Sequence, residues 1–379
     1  MRLINLLNIL LLCNLFTAHS NDRDTADHIN FGGALRFNYN LSSWKEGQKK
    51  RFGDFGYDMF RINATGSVKS IKLNAEYRLY SQGFGGGMLK QGWFGYDLSD
   101  VSEIQLGLQQ VPFGIQQYNS HNWFFNLTYY LGFEDDHDMG IKYIHDTGSW
   151  QLHAAYYHNA EDLVFGDVPA SPNRYSYDVT GRNKESSQLN IKAIKRMGSR
   201  NHIETGVSLQ GGLLYNLDTE RHGTSWAGAV HAELLPADSP WGIKIQIMSY
   251  EFLPEAAPGD TPGIIEMSAY GAGYNVASAG KIYTFAVSHT VNIGRKLADA
   301  ITFYNDFAFL DKANSDFENT FMNVIGGMIR SGPVYTYVDM AMGYNHPWLG
   351  PEWTNALAAG TAGTTSWHYR FNINFGYYF

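Results

Sequence analysis

The protein has 379 residues, including 40 Gly, 25 Tyr and 23 Phe, and only 17% of its residues are charged. Beyond the N-terminal region no apolar run approaches the roughly 20 residues of a spanning helix, which excludes a helical membrane protein and leaves a soluble protein or a β-barrel. The formal net charge of −8 argues against nucleic acid as a partner.

The first 20 residues have the three parts of a secretory signal peptide. Arg2 forms the basic region, residues 3–16 form the apolar region, and small residues such as Ala18 lead to a cleavage site near Ser20. The alternative is a buried first helix. Cys13 is the only cysteine, so a mature chain of residues 21–379 has no disulfide, no thiolate metal site and no cysteine nucleophile. That mature chain has 27 basic and 36 acidic residues, a net charge of −9.

Apolar and polar residues alternate along much of the remaining chain, and this alternation predicts β-strands. In one clear case Ile71 and Leu73 alternate with Lys72, and residues 102–112 and 241–252 repeat the pattern. A soluble sandwich buries the apolar face of such strands, whereas a membrane barrel turns it to lipid and the polar face to the lumen.

Three observations favour the membrane barrel. The strands are about ten residues long, which is the length of a tilted spanning strand. Short turns alternate with long polar loops, as in porins with short periplasmic turns and long outer loops. Aromatic residues near strand ends are typical of an interfacial girdle: Trp150, Trp226, Trp241, Tyr377 and Phe379.

The strand number of a bacterial barrel is even, which decides one doubtful segment. Residues 264–277 are rich in Gly and alternate weakly, so we assign them to an outer loop. The sequence then predicts an all-β fold, a transmembrane antiparallel β-barrel of about sixteen strands with long extracellular loops, in the outer membrane of a Gram-negative bacterium. The predicted strands are 31–41, 57–68, 70–82, 88–98, 102–112, 137–146, 150–160, 187–197, 201–214, 225–235, 241–252, 281–291, 299–310, 318–329, 333–344 and 368–379.

The last strand has a distinct pattern and a specific expected partner. We expect its polar residues, such as Arg370 and Asn372, to face the lumen and its apolar residues to face lipid. It must pair with the first strand, near 31–41, to close the ring. The apolar set is Tyr369, Phe371, Ile373 and Phe375. A terminal aromatic strand ending at Phe379 also resembles the signal that the barrel-assembly machinery reads.

Residues 300–350 contain the blocks "TFYNDF", "NVIGG", "YTYVDMAMGYN" and "WLG", and residues 105–114 read "QLGLQQVPFG". These blocks resemble the phosphate-selective porin family. The resemblance implies an outer-membrane barrel of about sixteen strands, usually a trimer, that passes small solutes through a pore narrowed by a loop. Here that loop is 113–136. Family members that select phosphate have rows of arginine along the lumen and lysines in the constriction, whereas no dense row is evident here, which favours a more general porin.

Nine charged residues are candidates for the pore lining. One interpretation is a basic wall whose field steers anions. The other is a structural network in which Asp58 and acidic members of the set stiffen the lumen. The candidates are Arg36, Arg61, Lys72, Glu76, Arg78, Glu103, Lys142, Lys192 and Lys244.

Loop 113–136 is the candidate constriction, because a loop folded into the lumen narrows it and sets its polar lining. Its aromatic residues either guide sugars or block the pore; alternatively they pack against the inner wall or contact a neighbouring subunit. The candidate residues are Tyr118, His121, Trp123, Phe124 and Tyr129.

The stretch "EDDHD" at 134–138 has hard oxygen ligands of the kind that bind Ca²⁺. It lacks the regular spacing and central glycine of a known calcium loop. A solvated acidic edge is therefore the preferred interpretation, and the sequence assigns neither a metal site nor a cofactor.

Passive diffusion of small hydrophilic solutes or ions, including anions such as phosphate, is the leading functional hypothesis. Its expected partners are outer-membrane lipid, small solutes and two further copies of the chain in a homotrimer. Two alternatives stay open. One is an outer-membrane hydrolase using Ser120 and His121, and the other is an adhesin or structural barrel using loops 160–186 and 345–366.

Overall fold

The computed structural model describes residues 27–161, 166–198, 202–235, 239–295, 298–360 and 366–379. The predicted signal peptide at 1–20 lies outside these residues, as do parts of the turns predicted at 197–200 and 236–240. Among the described residues, no helix has both the length and the apolar character needed to cross a membrane.

The described part of the chain contains nineteen strands and two short α-helices, α1 at Glu46–Lys50 and α2 at Leu127–Tyr130. Single turns of 3₁₀-helix lie at Gln82–Phe84 and Pro347–Leu349. In chain order the strands β1 to β19 are His28–Ser42, Asp54–Val68, Ile71–Leu79, Gly87–Ser99, Ser102–Gln110, His137–Asp146, Trp150–Asn159, Asp178–Val179, Asn183–Met197, Ile203–Asn216, Arg221–Leu234, Trp241–Leu253, Ile264–Ala269, Ala272–Ala277, Ala279–Arg295, Ala298–Lys312, Thr320–Ser331, Val334–Tyr344 and His368–Tyr378.

Sixteen of these strands form a closed antiparallel barrel, which confirms the predicted fold. Each barrel strand pairs with its neighbours in sequence, and β1 pairs with β19 to complete the ring. At this closure Phe37 lies opposite Phe375, and Gly33 and Phe379 exchange backbone hydrogen bonds of 2.8 and 3.1 Å. Closure leaves no unpaired sheet edge, which is the condition for a sheet to reside in lipid.

The barrel is apolar outside and polar inside, because side chains alternate across each strand. On β3, Ile71 and Tyr77 point outward and are 53% and 44% exposed, whereas Glu76 and Arg78 point inward and are 9% and 5% exposed. The expected facing of β19 is also present, with the side chain of Asn372 fully buried inside.

The short turns lie together at the end of the barrel that contains Phe379. The backbone N–H of Tyr378 donates to the carbonyl of Pro333 in the turn between β17 and β18. The turn between β2 and β3 has positive φ at both Lys69 and Ser70, which matches the right-handed twist of a two-residue hairpin. The long loops emerge at the opposite end.

The segment 264–277 lies outside the barrel wall, as predicted from parity. It forms a hairpin of β13 and β14, and β13 also pairs with β8. One face of this small sheet is buried, with Ile265 and Met267 only 3% and 1% exposed, whereas Glu266 on the other face is exposed.

The apolar core is made by loops that enter the barrel rather than by the barrel wall alone. Residues from loop 113–136, from the small sheet and from the segment around Leu349 pack into one cluster. Within it the rings of Tyr129 and Tyr177 lie 5.4 Å apart, and the Tyr177 hydroxyl accepts a hydrogen bond from Trp348 Nε1. These contacts position the candidate constriction.

Candidate pore and constriction loop

The chain between β5 and β6 crosses the lumen and follows the opposite inner wall. Its polar groups bond in turn to inward-facing side chains of β10, β12, β15, β16 and β18. These bonds are Gly114 N to Ser208 Oγ at 3.1 Å, Ile115 N to Gln246 Oε1 at 2.8 Å, Asn119 Nδ2 to Thr284 Oγ1 at 3.0 Å, His121 N to Asp306 Oδ2 at 2.7 Å, and Trp123 N to Asp339 Oδ2 at 3.3 Å.

Asp306 on β16 is the most extensively bonded anchor of this loop. Its carboxylate accepts the backbone N–H groups of His121 and Asn122 at 2.7 and 3.0 Å, and the Asn122 amide at 2.7 Å. It also lies 2.8 Å from His121 Nδ1. Asp306 is 3% exposed, so these charge-assisted bonds form away from water, where they are strong.

Three predicted pore-lining lysines donate hydrogen bonds inside the barrel, two of them to the loop and one to the last residue of β5. Lys192 Nζ donates to Gln116 Oε1 at 2.7 Å, and Lys142 Nζ donates to the carbonyl of Gln110 at 2.9 Å. Lys244 Nζ donates to the carbonyl of Tyr118 at 2.5 Å and lies 3.4 Å from Glu233. Lys192 and Lys244 therefore hold the loop against the wall.

The predicted basic residues on β1, β2 and β3 lie in ion pairs with inward-facing carboxylates. The distances are 2.9 Å for Arg36–Asp58, 3.4 Å for Arg61–Glu76, 2.6 Å for Arg78–Glu76, 2.6 Å for Lys72–Asp97 and 3.0 Å for Lys72–Glu103. Positive and negative groups thus alternate across this wall, so its field is weaker than that of a row of free cations.

The loop's aromatic residues join it to the other inward-folded loops. Phe124 and Tyr129 are 3% and 5% exposed. Tyr129 stacks on Phe125 at 4.1 Å, and its hydroxyl lies 2.5 Å from that of Tyr270. Trp123 and half-buried Tyr118 lie beside this cluster, with the Tyr118 ring 5.1 Å from Phe125.

Glu134 is a buried carboxyl at the return of the loop. Its oxygens accept the backbone N–H of Asn119 at 2.8 Å and contact Thr128 Oγ1 at 2.6 Å. Burial raises the pKa of Glu134 to about 7, although both hydrogen bonds oppose the rise. A protonated Glu134 donates to Thr128, whose hydroxyl then donates to Asn126. We therefore expect docking of the loop to depend on pH near neutrality.

Several anchoring residues were not singled out from the sequence. Besides Asp306, they include Asp339 and the buried pair of Lys90 and Asp135, whose charged atoms lie 2.6 Å apart. Tyr175 also donates to Asp135 at 2.5 Å. A single carboxylate within an alternating strand could have indicated such an anchor. Asp306 lies in the block "TFYNDF" and Asp339 in "YTYVDMAMGYN".

A polar cavity of about 170 Å³ lies between the start of the loop and the wall of β9 to β11. It is lined by Gln116, Lys192, Arg196, Glu204 and Glu233, among others. Arg196 bridges Glu204 at 2.8 Å and Asp146 at 2.9 Å. Charges of both signs thus border this space.

The Ser120–His121 pair does not assemble into a nucleophile and base. His121 has an orienting carboxylate in Asp306, but the buried Ser120 Oγ makes no hydrogen bond within the described residues. An activated serine needs a hydrogen bond to its base. The arrangement seen is that of a loop anchor.

No family model matches the sequence, and no curated protein matches it. Several solved structures are similar in fold. The outer-membrane channel DcaP of Acinetobacter baumannii is 12% identical, with a TM-score of 0.56 over 96% of this chain and all of that one. An anion-selective porin from Comamonas acidovorans is 9% identical, with a TM-score of 0.58 over 93% of this chain and all of that one. Salmonella typhi OmpF, in complex with daunomycin, is 10% identical, with a TM-score of 0.59 over 95% of this chain and all of that one. At such low identity these likenesses show a shared barrel fold.

Proposed function

We propose that the protein is an outer-membrane porin, a channel through which small hydrophilic solutes or ions diffuse passively. The observation that carries the proposal is the closed sixteen-strand barrel with an apolar exterior, a charged interior and a loop laid across its lumen. Barrels of this strand number enclose an aqueous channel. A covalent mechanism is not needed, because the polar lining lets solutes cross the lipid barrier in contact with water.

The exterior supports a location in the outer membrane of a Gram-negative bacterium. Large apolar side chains such as Leu106, Leu189 and Leu209 are 59–64% exposed on the outer face. A soluble protein rarely exposes such a continuous apolar surface. Lipid is the partner that fits this surface, and assembly as a homotrimer, as the sequence resemblance implies, belongs to the same proposal.

The lining supports a general pore with a size limit rather than phosphate selection. Arg36 and Lys72, which were candidates for an anion-steering wall, are paired with carboxylates at 2.9 Å and 2.6 Å. Loop 113–136 occupies part of the lumen and leaves a narrower passage than an empty barrel. We therefore propose weak charge selectivity and passage of small solutes, with phosphate as one of several permeant ions.

Planar-bilayer recording of the folded protein tests this function. We expect stepwise ion conductance and a small reversal potential in a potassium chloride gradient. K72Q and E103Q form a matched pair, because each removes one partner of the same 3.0 Å ion pair. K72Q should shift the reversal potential towards cation preference and E103Q towards anion preference. A folded barrel that conducts no ions and admits no sugars in liposome swelling would refute the proposal.

A further inference from the structure

A group of buried carboxylates lies where the end of loop 113–136 meets the segment before β9. Oxygen atoms of Asp136, Asp138 and Asp178 all lie within 4.8 Å of one another, and these three residues are 6%, 2% and 1% exposed. Glu161 and Glu185 lie close by, because Arg174 bridges Glu161 and Asp178, and Glu185 accepts the backbone N–H of Val179 at 3.2 Å. Five carboxylates thus converge from four segments of the chain.

The positive charge at this site is smaller than the negative charge. Arg174 lies 3.1 Å from Glu161 and 2.9 Å from Asp178. Within the described residues, the guanidinium of Arg174 thus lies among five carboxylates.

Two carboxylate oxygens point into this group without a partner. Asp136 Oδ1 and Asp138 Oδ1 are buried and accept no hydrogen bond from any described residue. The other oxygen of Asp138 accepts one long bond of 3.3 Å from Gln188. Unpaired, like-charged carboxylates are costly in a protein interior unless a cation or protons compensate them.

We propose that Asp136, Asp138 and Asp178 bind one Ca²⁺ ion, with Glu161 and Glu185 as further oxygen donors. Ca²⁺ binds six to eight oxygens at about 2.3–2.6 Å, so ligands on opposite sides of the ion are roughly 4.6–5.2 Å apart. Separations within 4.8 Å are compatible with that span. Mg²⁺ needs a near-ideal octahedron at about 2.0–2.1 Å and loses its water ligands reluctantly, so an all-carboxylate site favours Ca²⁺.

The ion would fasten the returning end of loop 113–136 to β8. Asp136 belongs to the loop and Asp138 is the second residue of β6, whereas Asp178 lies in β8 beside the small sheet. A bound cation therefore joins two segments that are far apart in the sequence. This role does not depend on whether the barrel conducts solutes.

Calcium titration of the full folded protein in detergent, after removal of metal with a chelator, tests the site directly. We expect one saturable site by calorimetry, with a Kd at or below about 1 mM, as in extracellular calcium modules. D136N and D138N should each weaken binding at least tenfold. D316N is the matched control, because Asp316 is an exposed loop aspartate, and it should bind as the unsubstituted protein does.

Thermal unfolding provides a second measurement that does not rely on affinity. Added Ca²⁺ should raise the unfolding temperature of the unsubstituted protein and of D316N but not of D136N. In the chelator, D136N should unfold at a higher temperature than the unsubstituted protein, because it removes one repelling charge. The absence of saturable Ca²⁺ binding up to about 10 mM would overturn the proposal, as would equal affinity for Mg²⁺. A higher unfolding temperature at low pH, without any effect of Ca²⁺, would also overturn the proposal. It would indicate that bound protons, rather than a metal ion, compensate the carboxylates.

Discussion

Replacing Asp306 by alanine should release loop 113–136 from the barrel wall. The carboxylate accepts the backbone N–H groups of His121 and Asn122 in a site that is 3% exposed. Those two donors belong to the backbone and have no free rotation towards another acceptor, whereas the His121 ring and the Asn122 amide can turn elsewhere.

The magnitude follows from the two stranded donors. Leaving a buried donor unsatisfied costs about 1–3 kcal/mol, so D306A should weaken docking of the loop by about 2–6 kcal/mol. Since about 1.4 kcal/mol is a factor of ten, the undocked population should rise roughly 30-fold to 20,000-fold. The barrel wall itself keeps its ladder of backbone hydrogen bonds and should stay folded.

Limited proteolysis of the folded protein reports loop release, with the cleavage sites mapped by mass spectrometry. We expect new cleavage between residues 113 and 136 in D306A, together with larger current fluctuations in bilayer recordings. D97A is the matched control, because the Asp97 side chain is 54% exposed and Lys72 keeps Glu103 as a partner. An exposed ion pair contributes about 1 kcal/mol or less, so D97A should resemble the unsubstituted protein. If D306A were cleaved no faster than D97A, the anchoring role would be wrong.

Three further predictions concern the interior and the closure of the barrel. Burial raises the pKa of Glu134 from its ordinary value of 4.5 to about 7 in the folded protein. The contribution of protonated Glu134 to stability is therefore complete below pH 4.5 and is lost as the pH rises through 7. Proteolysis of the loop should accelerate from pH 5 to 8, and E134Q should remove that dependence. K90A should lower the free energy of unfolding by about 3–5 kcal/mol because it strands the buried Asp135 carboxylate, whereas K90M/D135N should cost less, as measured by urea unfolding. G33V should reduce the yield of closed barrel, as measured by electrophoresis of unheated samples. A Cβ at Gly33 would lie 2.4 Å from the carbonyl oxygen of Arg61 and 2.7 Å from the Phe379 ring. G83V is the control and should fold normally, because a Cβ at Gly83 meets open space.

The barrel wall was predictable because its physical rule repeats locally. Each spanning strand must show apolar groups to lipid and polar groups to the lumen, so Ile71 and Lys72 already carry the signal within two residues. The requirement for an even number of strands then indicated that residues 264–277 are not part of the barrel wall. The hairpin that they form was not predicted. Strand ends were less certain: β15 continues to Arg295, because backbone pairing persists beyond the alternating part of the strand.

The interior was much harder to predict, because its contacts join residues far apart in sequence. His121 and Asp306 are separated by 185 positions, and the residues around either one do not indicate that the two are in contact. The alternation placed Lys192 and Lys244 on inward faces, but their bonds to Gln116 and to the Tyr118 carbonyl depend on where the loop lies. The expectation of a solvated acidic edge at 134–138 was wrong, because all five residues are buried. Asp135 pairs with Lys90, whereas Asp136 and Asp138 lie beside Asp178, and neither partner is close in sequence.

The pairing of β1 with β19 also fixes the order in which the molecule can be completed. Asn40 in the first strand pairs with Asn372 in the last strand. The first strand therefore leaves the ribosome long before its final neighbour has been synthesised. Contacts of such high sequence separation form slowly, because most of the chain must be arranged before they close. Until then the sheet has two edges with unpaired backbone N–H and C=O groups, which can pair with other chains. A cell that makes this protein must therefore keep the early strands apart from one another, and from other chains, until the last one arrives.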